Sequence, residues 1–137
     1  MPDSALARKM KLKPGQRAAL VNAPEGYLKD LSPLPASVEV AERLQGEFDW
    51  VQVFVKNKAE LDKLVPKVVR ALKPDSLLWI TFPKGTSKIQ TDLTRDKGWD
   101  ALQKADLKWV TLISVDETWS AFALRPYKPG EKLQSFR

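Results

Sequence analysis

The 137-residue sequence predicts an α/β fold in three layers, built on a mixed, mostly parallel sheet of about six strands. Three observations carry this expectation. Apolar, β-branched runs alternate with stretches of helical period. Residues 77–82 (LLWITF) read as an apolar run too short to span a membrane and suited to a strand buried on both faces, ended by Pro83. Near the C-terminus two further strand patterns are separated only by Asp116, Glu117 and Thr118, and so short a connection implies an antiparallel hairpin.

In chain order, Leu6, Met10 and Leu12 support a short opening helix, stopped by Lys13-Pro14-Gly15. Residues 17–21 (RAALV) form the first strand, and Asn22-Ala23-Pro24-Glu25-Gly26-Tyr27 is a turn feeding a short helix that ends at Leu31. After a Pro-rich connector, Val38 and Val40 alternate with Glu39, so residues 37–42 read as a short strand near a sheet edge. Residues 48–55 (FDWVQVFV) are aromatic and β-branched, hence a strand. Asn57 is the N-cap of an amphipathic helix whose stripe is Leu61, Leu64, Val65, Val68 and Leu72, with a kink or break expected at Pro66 and closure at Lys73-Pro74-Asp75. Leu93, Trp99, Leu102 and Ala105 mark a further helix starting somewhere in 91–96. Residues 109–115 (WVTLISV) and 119–124 (WSAFAL) are the hairpin strands. One domain is expected over residues 1–125, with a loosely held basic tail at 126–137.

Composition removes several chemistries. With no cysteine and no histidine there are no disulfides, thiolate nucleophiles, imidazole bases or zinc sites of the usual kind. No segment has the apolar length of a signal peptide or a membrane span, so a cytoplasmic protein without a membrane partner is expected. The net charge of +6 resides at the ends: +4 within residues 1–17 and +3 within 125–137, leaving the middle near neutral. Ends of this kind are ordinarily solvated and mobile, which ranks nucleic-acid binding below a small anionic ligand.

The motifs also carry a family resemblance. KLKPGQR before the first strand, then FDWVQVFV, a helix ending in ALKPD, the strand SLLWITFP, a helix and a closing hairpin resemble class I S-adenosylmethionine-dependent methyltransferases. On that template the chain is shortened, lacking one strand and its crossover between Glu42 and Phe48. NAPEGY, LLWITFPKGTS, TDLTRDKGW and DETWSA are similar to a family of small uncharacterised bacterial proteins, the DUF3052 domain, across residues 6–125. The first resemblance implies a methyltransferase-like, Rossmann-like core. It implies the strand order by first residue Ser37, Arg17, Phe48, Leu77, Trp119, Trp109, with the Trp119 strand antiparallel. It does not carry the cofactor site across: where that family has a glycine-rich turn after the first strand this chain keeps Gly26 and has Pro24, although Glu42 occupies the place where such folds hold the ribose hydroxyls with an acidic residue.

Two ligand readings follow. In the first, the cofactor expectation is none, and the protein is a non-catalytic binding or regulatory module with an anion or nucleotide site. Lys84, Gly85, Thr86, Ser87 and Lys88 supply charge and donors, Arg95 reaches in from the helix, and Asn22 and Tyr27 close the opposite wall. The alternative is an active methyltransferase with an atypical turn, binding S-adenosylmethionine through Asn22, Gly26 and Glu42. No motif identifies a catalytic residue or a metal ligand. Asp49 reads as a backbone acceptor, Asp116 and Glu117 as a solvated turn, and the five tryptophans as core, with Trp99 and Trp119 partly exposed.

Overall fold

The computed structural model describes residues 4–84, 93, 99–105, 107–127 and 130–131. Six strands form one sheet: β1 (Arg17–Val21), β2 (Glu39–Ala41), β3 (Phe48–Phe54), β4 (Leu72–Pro83), β5 (Leu107–Ser114) and β6 (Trp119–Pro126). Their order is β2-β1-β3-β4-β6-β5, the order expected. β2, β1, β3 and β4 are parallel, and β6 runs antiparallel between β4 and β5.

Both faces of the sheet are covered, because the buried strands are apolar on both sides. α3 (Lys58–Arg70) and α4 (Asp100–Lys104) lie on one face, where Leu61, Val65, Val68 and Leu102 pack on Val51, Val53, Leu78 and Ile80. α1 (Ala5–Lys9) and α2 (Tyr27–Leu31) cover the other, where Ala7, Met10, Tyr27 and Leu31 meet Leu20, Trp50, Phe54 and Trp79. Ser4 caps α1, accepting from the Ala7 amide. The Met10 carbonyl then accepts the indole N–H of both Trp50 and Trp79, at 2.9 Å each. The basic N-terminal segment is thus pinned to the sheet through Met10 and Leu12, although its composition suggested a mobile end.

Five further expectations are corrected. α3 runs unbroken through Pro66, since burial of Leu61, Val65 and Val68 on one side of the proline and the other outweighs one lost backbone bond. β4 begins at Leu72, not after Asp75: Phe48 pairs with Leu72 and Trp50 with Leu77, so residues 73–76 bulge outward, and Lys73 meets Asp49 there at 3.2 Å. The run 77–82 is not apolar throughout, because Thr81 is buried as a hydrogen-bonded polar residue. Trp99 and Trp119 are buried, each held in edge-to-face ring contacts. The second strand is shorter than residues 37–42 suggested. The segment after β6 is tied back at Glu131, which pairs with Lys108 and Arg125. No described helix is long and apolar enough to cross a membrane.

Replacing Pro66 by alanine restores an amide facing the Asp62 carbonyl. It should therefore stabilise the protein by about 1–3 kcal/mol, read as a higher urea midpoint at unchanged slope. An unchanged midpoint would show that the local backbone has already absorbed the proline.

Candidate functional site at the C-terminal edge of the sheet

The strand order reverses between β1 and β3, so the loops after these strands leave in opposite directions and open a crevice. The turn after β1 forms one wall. Asn22 has φ 59°, in the left-handed region where asparagine is among the better tolerated side chains. The Tyr27 amide donates to the Pro24 carbonyl at 3.1 Å, closing a turn whose third residue, Gly26 (φ 83°, ψ −6°), takes the positive φ of a type II turn. A Cβ on Gly26 would meet nothing within 4 Å, so this glycine serves the turn's conformation and leaves open space beside it.

The second wall is residues 42–47, which carry the chain from the end of β2 back to the start of β3 without helix or strand. Arg17 holds this crossover in place. Its guanidinium lies 4.4 Å from the centre of the Phe48 ring and donates to the carbonyls of Gln45 and Glu47, at 2.7 and 3.2 Å. Gly46 permits this, since a Cβ there would stand 3.0 Å from the guanidinium. Asp49 Oδ2 accepts from the Arg17 amide at 2.8 Å. That bond, with Lys73 alongside, holds the Asp49 carboxyl below its usual range, so Asp49 anchors backbone, as its sequence position suggested.

Between these walls lies a cavity of about 870 Å³ lined by Leu20, Asn22, Gly26, Val40, Glu42 and Arg43, among others. A second, of about 680 Å³, continues towards α3 and again includes Asn22, Glu42 and Arg43. A third, of about 540 Å³, lies over the end of β3, with Phe54 and Trp119 beside Asn22, Ala23 and Pro24. Asn22 borders all three, so they surround a single residue at the strand end. Asn22, Gly26 and Glu42, named together from the sequence as the alternative cofactor site, line the same cavity. Arg43 was missed because a crossover without regular structure leaves no periodic signal, and Arg17 because the reach of a long side chain from a strand leaves none.

The anion constellation is not assembled among the described residues. Tyr27 is buried, and its hydroxyl donates to Gln52 Oε1 at 3.0 Å, so it lies beneath the crevice and not in its wall. Burial pushes that hydroxyl well above the usual phenol range. The Lys84 ammonium donates to Ser114 Oγ on the hairpin, and Lys84 lines none of the three cavities. Gly85, Thr86, Ser87, Lys88 and Arg95 lie outside the described residues.

Solved structures share this fold. The chain superimposes with a TM-score of 0.59 on the ribosomal protein L11 methylase of Lactobacillus delbrueckii subsp. bulgaricus, at 14% identity over 89% of this chain and 76% of that one. It superimposes at 0.57 on a TehB-like SAM-dependent methyltransferase from Corynebacterium glutamicum, at 12% identity over 90% and 88%. The fold is that of the class I methyltransferases. A further match, at 0.60 and 12% identity over 89% and 82%, is the complex of DhpI with S-adenosylhomocysteine (SAH). No family model matches the chain, and no curated protein does.

Proposed function

We propose that this chain is a ligand-binding module that takes a nucleoside of the S-adenosylmethionine type in the 870 Å³ cavity between β1 and β2. The observation that carries the reading is the convergence of Asn22, Gly26 and Glu42 on that cavity. Its volume suits a nucleoside-sized ligand. Glu42 is exposed at the end of β2, with a carboxylate able to accept both hydroxyls of a ribose, and Leu20 and Val40 offer apolar surface. Arg43 supplies a cation for a carboxylate, and Asn22 both donates and accepts. S-adenosylmethionine, where bound, supplies an activated methyl group; the residues here bind and orient.

No motif in the sequence supplies a catalytic residue, which supports a binding or regulatory role without methyl transfer. The likeness of NAPEGY, LLWITFPKGTS, TDLTRDKGW and DETWSA supports grouping the chain with the DUF3052-type bacterial proteins, acting in the cytoplasm.

Titration calorimetry with S-adenosylmethionine, SAH and adenosine tests the proposal. Dissociation constants between roughly 10 µM and 1 mM are expected, about −6.8 to −4.1 kcal/mol. Glu42→Gln should weaken binding at least about tenfold, since a charge-assisted bond contributes about 1.5–3 kcal/mol. Absence of heat with all three ligands, or equal affinity in the variant, overturns the reading.

A further inference from the structure

The 540 Å³ cavity over the end of β3 has no part in the nucleoside reading, although it shares the wall formed by Asn22, Ala23 and Pro24. Its apolar lining is aromatic. Phe54 and Trp119 meet edge to face with ring centres 5.1 Å apart, and Tyr27 meets Phe54 in the same manner at 4.7 Å. Rings in mutual contact fix one another's torsions, so a flat ligand laid against them requires little ordering of the protein.

One of these rings has a donor to spare. The indole N–H groups of Trp50 and Trp79 both go to the Met10 carbonyl, whereas that of Trp119 makes no hydrogen bond among the described residues. It is not sealed in the core either, so it reaches solvent on a residue only 6% exposed. An acceptor seated in the cavity beside Trp119 would satisfy it.

The same cavity carries one uncommitted cation. Lys56 is exposed, and its ammonium forms no ion pair among the described residues. Glu60 lines the cavity as well, but its carboxylate belongs to the start of α3: Oε1 accepts the Lys56 amide at 2.6 Å, and the Glu60 amide donates to Asn57 Oδ1 at 2.9 Å. The positive end of this 13-residue helix offsets part of that negative charge. The Lys56 backbone is thereby fixed while its side chain is left for a ligand.

We propose that this cavity binds a small aromatic carboxylate, its ring system against Phe54 and Trp119 and its carboxylate towards the Lys56 ammonium, with the Trp119 indole and the Asn22 amide as neutral donors in the same cavity. A space of this size accommodates one or two fused rings. Neither Glu42 nor Arg43 lines it, so this site and the nucleoside site can fail separately.

The test is a titration of the whole protein with naphthoate at constant ionic strength, followed by NMR. The Trp119 indole and Ala23 amide resonances should shift and saturate, with a dissociation constant of roughly 0.1–5 mM. Naphthylmethanol, which keeps the rings without the charge, should bind about threefold more weakly or worse. Decalin carboxylate, which keeps the charge without the flat rings, should do the same. Lys56→Gln should weaken naphthoate about threefold or more and leave naphthylmethanol unchanged, a split that altered packing would not produce. Glu42→Gln should leave both unchanged. Unsaturating shifts, a Trp119 indole resonance that does not respond, or equal naphthoate affinity in wild type and Lys56→Gln overturns the proposal. Naphthylmethanol as tight as naphthoate removes the carboxylate from it, and decalin carboxylate as tight removes the aromatic ring; either result also overturns it. Saturable naphthoate binding in a protein that gives no heat with adenosine or SAH would defeat the nucleoside reading alone.

Discussion

Replacing Trp79 by alanine should lower stability by about 3–5 kcal/mol, the range for removing a large buried aromatic side chain. Trp79 is fully buried in β4, flanked by β3 and β6, and its indole donates to the Met10 carbonyl. The substitution therefore empties volume in the face covered by α1 and removes one of two bonds holding that helix down. Because small domains have only about 5–15 kcal/mol in total, the variant should be marginal. Trp79→Phe keeps much of the volume and loses the indole bond, so a smaller loss of about 1–2 kcal/mol is expected. Urea unfolding measures both. A Trp79→Ala loss below about 1 kcal/mol would mean that this face is not the packed layer described.

Exchanging Gln52 for leucine should cost about 2–4 kcal/mol, although it puts an apolar residue into an apolar environment. Gln52 is completely buried at the centre of β3. It accepts from the Tyr27 hydroxyl at 3.0 Å and donates to Thr81 Oγ1 at 3.0 Å, linking α2, β3 and β4. Leucine strands the Thr81 hydroxyl and leaves the Tyr27 hydroxyl only the weak Met10 sulfur acceptor at 3.5 Å, each losing roughly 1–3 kcal/mol of hydrogen bonding. The decisive comparison is the triple variant Tyr27→Phe, Gln52→Leu, Thr81→Val. Removing the partners together should recover most of the loss, so the three effects should be strongly non-additive. Simple additivity would show that the three side chains do not act as a unit. Because Tyr27 directly follows Gly26, the single Gln52 variant should also loosen the turn that lines the nucleoside cavity.

The sheet was legible because its signals are collective. Runs such as FDWVQVFV declare strands, crossover handedness restricts their order, and the three-residue link at Asp116 allows only a hairpin. Pro66 does not break α3, because local propensity is a weak term beside the burial of Leu61 and Val65. Thr81 was absorbed into an apolar run because periodicity shows which face a residue takes but not which partner it finds. For the site, the family resemblance brought Asn22, Gly26 and Glu42 together, whereas the direction of a long side chain carries no sequence signal. Lys84 turning to Ser114, and Arg17 spanning to the crossover, depend on neighbours far away in the chain.

The most direct test of the central claim is a crystal structure grown with SAH in excess. The account predicts the ligand beside residues 22–26, with its ribose hydroxyls within hydrogen-bond distance of the Glu42 carboxylate. Ligand bound away from Glu42, or a cavity between β1 and β2 that stays free of ligand at millimolar concentration, would contradict it.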